Sequence, residues 1–326
     1  AVEAVAASTM TNGCILVLDT ATAAVRASVS VPCYDPERLA DSLQAENSPF
    51  LNRALQSYAV GSVFKPVLAA AALEAGLQPV FECTGAVVVD GQIFRCAGGV
   101  PHGQVDLAAA LEKSCNGYFI RLGQQLGAES LLDAAKAFGF GQSLPLAEGL
   151  AAEAGQLPAP QELAQSGQLA NFSFGQGSLL ATPLQVAALF NVIAADGVYR
   201  APYVLQATLD EATGQPVETL SHPRGRRVIP AQNAALLRAM LVQVVQQGTA
   251  QDAAGLSGGA GGKTGTAQTG QFTPEGAERC NLWFAGFWPA EKPRYTIVVL
   301  QDGAIHTAYS GAAIFAQVCN ALEAAG

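Results

Sequence analysis

The sequence predicts an α/β fold in which a mainly antiparallel sheet of about five strands, flanked by helices, carries an inserted all-helical subdomain. Two observations predict it. Apolar runs with strand character gather at both ends of the 326-residue chain, and the stretch between them, from Pro66 to about Val204, carries mostly helical signals. Strands from both chain ends around a helical middle make one discontinuous unit with an insertion. The expected partition of a single domain, 1–326, assigns residues 13–60 and 226–326 to the sheet subdomain and 61–225 to the mainly helical one.

The elements follow in chain order. Residues 14–18 (Cys-Ile-Leu-Val-Leu) and 25–31 read as a hairpin pair. Gly61 before and Pro66 after Ser62 place a helix start near Ser62, because proline is tolerated in a first helical turn. Residues 87–94 read as a second hairpin turning at Asp90-Gly91. Residues 105–126, with Leu107, Leu111, Tyr118, Phe119 and Leu122, fit helix around a short polar interruption. The Ala-, Pro-, Glu- and Gln-rich segment 144–166 is the expected surface excursion. Thr182-Pro183 is a cap followed by proline at the first helical position, and Gly197 follows that helix's end. Residues 230–247 and 310–325 read as long helices. Residues 282–288 and 295–300 read as strands, and the glycine-dense run 257–262 leads into a fifth strand around Lys263. There is no internal repeat.

Composition narrows the function classes. At 50% hydrophobic and 13% charged, the chain buries a large core and is not a disordered solvating segment. A net charge of −9 with pI near 4.8 argues against nucleic acid or an anionic membrane surface as partner. The long uncharged runs, 179–195 and 303–322, are interrupted by proline or polar residues and do not read as membrane spans. The start at Ala1-Val2-Glu3 lacks methionine and reads as the end of a helix, so an N-terminal anchor is expected to precede it. His102, His222 and His306 are scattered, in no H-x-x-x-H or cysteine-paired spacing, so no metal site and no cofactor are expected. Seven cysteines are too few for a disulfide scaffold. In the register of the 87–94 hairpin Cys83 and Cys96 fall diagonally, and a bulge or a longer loop would bring them into bonding range, so a Cys83–Cys96 disulfide is expected. Cys115 is expected to face the core as a small hydrophobe.

Three segments carry chemistry. Ser62-Val63-Phe64-Lys65 sets a hydroxyl and an amine three residues apart, on one face of a helix, so Lys65 can reach Ser62 as its base. An ordinary lysine is too strong a base to be neutral; Lys65 needs burial or a second cation, for which Lys263 is the candidate. Ser114-Cys115-Asn116 places two polar residues at a spacing that diverges on a helix, so the chain is expected to turn there and point both into one cleft. Ser114 would relay a proton to a leaving amine and Asn116 would bond a substrate amide. Lys263-Thr264-Gly265-Thr266 on an open strand edge would pair with a peptide, offering an ammonium and two hydroxyls to a carboxylate. The Thr266 and Ser62 N–H groups would form an oxyanion hole. A phosphate-binding loop is excluded: counting back from Gly262, its first glycine position holds Ser257.

With this SxxK, SxN, KTG triplet the chain resembles the class B penicillin-binding proteins. The resemblance extends to Asn52-Arg53-Ala54-Leu55, Ser173-Phe174-Gly175-Gln176-Gly177, Thr182-Pro183-Leu184-Gln185, Gly248-Thr249-Ala250 and Asn281-Leu282-Trp283-Phe284-Ala285-Gly286-Phe287, in family order from about Gly13 to the C-terminus. Departures are Ala59-Val60, where prolines are usual, and Thr20-Ala21-Thr22-Ala23, where a Thr-Gly turn is usual. The resemblance implies a β-lactamase/transpeptidase-like fold and a serine D,D-transpeptidase of peptidoglycan biosynthesis that forms an acyl-enzyme on D-Ala-D-Ala stem peptides and is a β-lactam target. The catalytic set is then Ser62, Lys65, Ser114, Asn116 and Lys263, with Thr264, Gly265 and Thr266 binding substrate or antibiotic. It also implies a membrane-anchored parent with cell-wall synthesis partners at the extracytoplasmic face of the bacterial cytoplasmic membrane. The alternatives are a serine β-lactamase or β-lactam sensor, and a non-catalytic binding module. A class A β-lactamase needs an E-x-x-x-N segment, for which only Glu112 with Asn116 offers itself. The intact Ser62, Lys65, Ser114 and Lys263 argue against a decayed module.

Overall fold

Both ends of the chain meet in one sheet. A computed structural model describes all residues except Ala7, 221–223, 306–309 and Gly326, so His222 and His306 lie outside the described residues. The sheet comprises β1 (Gly13–Asp19), β2 (Val25–Val31), β3 (Gly261–Phe272), β4 (Glu278–Trp288) and β5 (Tyr295–Ala304). Their order is β3-β4-β5-β1-β2, with every neighbouring pair antiparallel. β1 reads as a continuous apolar run because residues 14–18 are buried on both faces of a central strand. In the β1–β2 turn, Ala23 takes φ 64° at the place where a glycine would be easier, and Asp19 holds the turn by accepting from the Thr22 N–H at 2.9 Å.

The helices that frame the site are α1 (Lys65–Glu74), α2 (Leu107–Glu112), α3 (Asn116–Leu126), α4 (Ser166–Ser173), α5 (Pro183–Ala194), α6 (Ala231–Gln246) and α7 (Gly311–Ala324). Successive β4 residues point to opposite faces. Phe284 therefore meets α7, where its ring lies 4.7 Å from Phe315. The other face receives α5, whose Asn191 Oδ1 accepts from the Thr296 hydroxyl of β5 at 3.0 Å. All twelve α5 residues are buried, and the helix starts on a full capping box between Thr182 and Gln185 with Pro183 in the first turn. Buried Gln185 is fully used: its amide donates to the carbonyls of Ala154, Gln142 and Gly139 at 2.8, 3.0 and 3.3 Å.

The inserted part is helical but not only helical. Short ribbons join its helices: Phe81–Cys83 with Gly103–Val105, Ala86–Val89 with Gln92–Arg95, and Leu144–Ala147 with Leu150–Ala152. The Asp90-Gly91 turn gives the register expected of it, Val89 opposite Gln92 and Ala86 opposite Arg95. The segment 144–166 holds one of these ribbons and a short helix, with Leu144 and Leu146 buried beneath it. α1 is apolar all round after Lys65 and buried through Leu73, which makes it the axis of the insertion.

Replacing Phe315 by alanine removes the ring that α7 lays on the sheet. The cost is about 3–5 kcal/mol, the range for emptying a buried phenylalanine site, read as a lower midpoint in urea denaturation.

Candidate active site

The Ser62 turn is clamped between the sheet and the insertion. Ser62 lies in a 3-10 turn, Gly61–Phe64, that runs directly into α1. Gly61 has φ 60°, donates to the Gly175 carbonyl at 2.9 Å, and lies so close to β3 that a Cβ there would meet the Thr266 carbonyl oxygen at 2.5 Å. Gly175, at φ 85°, presses from the other side: its Cβ would sit 1.9 Å from the Gly61 oxygen. Just upstream, the Ala59 carbonyl accepts from Trp283 Nε1 at 3.0 Å and Asn281 Nδ2 at 3.4 Å. Arg53 is buried, pairs with Asp302 of β5 at 3.0 Å, and donates to the Asn47 carbonyl at 2.9 Å. The approach to the serine is thus pinned to β4 and β5.

The chain turns at the SxN segment as its spacing predicts. Ser114 takes φ 53°, unusual for a residue with a side chain, between the end of α2 and the start of α3. Cys115 caps α3, its sulfur accepting from the Tyr118 N–H at 3.4 Å, and Asn116 is the first helical residue. Both side chains then face Lys65. The Lys65 Nζ donates to Asn116 Oδ1 at 2.7 Å, to the Ser114 carbonyl at 2.8 Å and to Ser114 Oγ at 3.2 Å. It also lies 5.4 Å from the centre of the Phe119 ring.

Lys65 has no solvent exposure, and all three acceptors are formally neutral. Burial pushes its pKa down from the ordinary 10.5 to about 7, against an opposing pull from Cys115 and Cys96. Of the two causes expected from the sequence, burial or Lys263 as a second cation, burial supplies the effect. Charge acts the other way round, with Lys263 held well below its ordinary value by its own burial and then by Lys65.

β3 is the edge strand, and its outer side faces the serine turn. Gly265 allows this approach, since a Cβ there would come within 3.0 Å of the Val60 oxygen and of Val63. The Thr266 carbonyl points outward, toward Gly61 and toward Gln176 Nε2 at 3.4 Å. On an antiparallel strand the N–H and C=O of one residue share an edge, so the Thr266 N–H also faces the Ser62 side. Thr264 and Thr249 share a hydrogen bond at 2.7 Å between their hydroxyls. Lys263 is fully buried under the strand, its Nζ donating to the Thr264 carbonyl at 3.1 Å, and it does not line the cleft, so it offers no surface ammonium there.

These elements enclose a cleft of about 770 Å³. Ser62, Ser114, Asn116, Thr264, Gly265 and Thr266 line it, brought together from three separate stretches of sequence. Phe174, Trp283, Arg95 and Gln176, which the three motifs alone do not indicate, complete the wall. Among the described residues that wall carries no carboxylate.

A second cluster adjoins the cleft. The Cys83 and Cys96 sulfurs are 3.7 Å apart and both thiols are free, so the expected disulfide is absent; a bond needs about 2.05 Å. Cys115 lies 3.9 Å from Cys96, and His102 Nδ1 lies 3.5 Å from Cys83. The four ligand atoms lie within 4.8 Å of one another, a set able to hold a metal ion. The sequence reading misses it. The available signal is C-x12-C-x5-H-x12-C across 83–115, longer than the pairings usually searched.

Comparison with known proteins agrees with the geometry. The family model described as the penicillin binding protein transpeptidase domain matches residues 13–322. The peptidoglycan D,D-transpeptidase PbpA of Mycolicibacterium smegmatis is 33% identical over 99% of this chain and 70% of its own length. Among solved structures, the D,D-transpeptidase domain of a peptidoglycan glycosyltransferase from Eggerthella lenta superposes with TM-score 0.87 at 28% identity, covering 99% of this chain and 80% of that one. An imipenem acyl-enzyme complex of penicillin-binding protein A from Mycobacterium tuberculosis superposes with TM-score 0.84 at 27% identity, covering 96% of this chain and 74% of that one.

The Gly61–Gly175 contact gives a test of the clamp. Gly175→Ala is expected to displace the Ser62 turn and slow labelling of Ser62 by a fluorescent acylating probe by about a hundredfold, the scale for a misplacement near 1 Å, while circular dichroism of the folded protein stays unchanged.

Proposed function

Because the chain belongs to the penicillin-binding protein transpeptidase family, we propose that its cleft carries out acyl transfer on D-Ala-D-Ala stem peptides of peptidoglycan with Ser62 as nucleophile. The protein is a serine D,D-transpeptidase of class B type, and β-lactams acylate it. The observation that carries the residue assignment is the meeting of Lys65 with Ser114 and Asn116 beneath a cleft lined by Ser62.

That arrangement supports the following steps. Neutral Lys65 accepts the Ser62 proton as the hydroxyl attacks the carbonyl carbon. The developing oxyanion sits between the Ser62 and Thr266 N–H groups, the latter directed to that side by the outward face of β3. The proton returns to the departing D-Ala amine through Ser114, whose hydroxyl is 3.2 Å from the Lys65 Nζ. An amine from a neighbouring strand then attacks the ester by the same path reversed, which forms the cross-link and frees Ser62. Thr264 and Thr266 offer hydroxyls to the substrate carboxylate, and buried Lys263 supports their strand from below. Asn116 keeps donor and acceptor capacity for a substrate amide beyond its bonds to Lys65 and to the Arg95 carbonyl at 2.9 Å.

Slow ester hydrolysis is what separates this enzyme from a β-lactamase. Glu112 ends α2 with its backbone carbonyl against Gly248, and it does not line the cleft. No described carboxylate stands ready to activate a hydrolytic water. The parent protein works at the extracytoplasmic face of the membrane, anchored and in contact with other cell-wall synthesis proteins.

Intact-mass spectrometry after incubation with benzylpenicillin is expected to show one long-lived adduct per chain, absent in Ser62→Ala. Rapid drug consumption with no lasting adduct would make the protein a β-lactamase, and no reaction would make it a binding module. The acylation rate is expected to rise with pH through about 7, where Lys65 becomes neutral, and to flatten above it. A rate independent of pH between 5 and 9, a range of about two units either side, would remove Lys65 as the base.

A further inference from the structure

We propose that Cys83, Cys96, Cys115 and His102 form a closed tetrahedral zinc site that holds the Ser114–Asn116 turn in its catalytic position.

The ligand geometry carries the first half of this inference. A zinc ion with Zn–S near 2.3 Å and Zn–N near 2.0–2.1 Å sets tetrahedron edges of about 3.8 Å between sulfurs and about 3.6 Å between sulfur and nitrogen. Three of the six edges are 3.7 and 3.9 Å for the Cys83–Cys96 and Cys96–Cys115 sulfur pairs and 3.5 Å for the Cys83 sulfur to His102 Nδ1, and all four atoms lie within 4.8 Å of one another. Four protein ligands and three buried thiols describe a structural site, not a catalytic one with an open position. Three soft sulfurs and one imidazole select zinc over the hard cations magnesium and calcium. The support around the ligands fits as well. The Tyr118 N–H already donates to the Cys115 sulfur at 3.4 Å, as amides do around metal-bound thiolates, and the backbone N–H of His102 fixes the loop by donating to the Cys83 carbonyl at 3.1 Å.

Placement carries the second half. Cys115 sits between Ser114 and Asn116, the two residues that hold Lys65, and it caps α3. Cys96 follows Arg95, whose carbonyl accepts from Asn116 and whose side chain lines the cleft. Cys83 ends one strand of a ribbon and His102 precedes the other. One ion therefore ties the ribbon, the 86–95 hairpin and the turn together. Ser114 needs such support, because φ 53° is a costly conformation for a serine and persists only when its surroundings over-determine it. The link to catalysis rests on the transpeptidase reading above; the metal site itself does not.

The test begins with metal content, which is independent of activity. Protein purified without chelator is expected to contain one zinc per chain by plasma mass spectrometry, and replacement by Co(II) is expected to give the intense visible bands of a tetrahedral thiolate complex. Cys83→Ser and His102→Ala are expected to lose the metal, His102→Cys to keep it as a four-thiolate site, and Cys33→Ser, at an exposed cysteine elsewhere, to keep full occupancy. A chain that takes up neither zinc nor cobalt, or that carries a Cys83–Cys96 disulfide when freshly purified, overturns the site. Removing zinc from the wild type is expected to slow acylation by a fluorescent penicillin about tenfold or more, the scale of supporting-shell changes, with recovery on adding zinc alone. Unchanged acylation by metal-free, folded protein overturns the positioning role while leaving Ser62 as the nucleophile.

Discussion

The burial of one amine is the constraint on which the rest of this site depends. Lys65 lies at the head of a helix with no access to water, and its three donors meet a carbonyl, a hydroxyl and a carboxamide oxygen, none of them anionic. An ammonium there loses its hydration, and this loss, opposed only in part by the nearby Cys115 and Cys96, brings its pKa down to about 7. A carboxylate partner would hold the proton on nitrogen and end its use as a base. The polar but neutral setting explains why Ser114 and Asn116 must both point inward from a turn that departs from ordinary backbone geometry.

The second constraint is how closely backbones approach around Ser62. Gly61 and Gly175 let a turn and a loop meet at distances that no Cβ would permit, and Gly265 brings the strand to the same turn at distances a Cβ would meet only tightly. This contact joins the sheet, built from both ends of the chain, to the inserted helices, so the cleft is walled by parts of the chain that are distant in sequence. Ties such as Arg53 to Asp302 and Trp283 to Ala59 keep the approach segment in register with β4 and β5. The Thr266 N–H is placed by this packing, since the outward face of β3 is the face the serine turn covers.

Much of this was legible in the sequence wherever the signal is local. The forced turn at Ser114–Asn116, the Asp90-Gly91 hairpin and the Thr182-Pro183 helix start each depend on a few consecutive residues and obey short-range geometry, whereas the Lys65 amine, expected from its spacing to reach Ser62, bonds Ser114 and Asn116 instead. What was not legible depends on distance. The fate of Lys263 turns on its burial under an edge strand, which the KTG segment itself does not encode. The Cys83, Cys96, His102 and Cys115 cluster draws ligands from a ribbon, a hairpin and a helix cap, so its spacing resembles no compact motif. Cys83 and Cys96 were paired correctly in space but with the wrong chemistry, because two further ligands complete the set. The short ribbons of the insertion were mostly too brief for a period to show.

The measurement that tests the central claim most directly is a carbon NMR titration of protein labelled at the lysine Cε, with Lys65→Arg identifying the resonance. A Lys65 signal that shifts with a midpoint near 7 is the predicted result. A midpoint that stays near the ordinary 10.5 would show a permanently charged lysine and contradict the account.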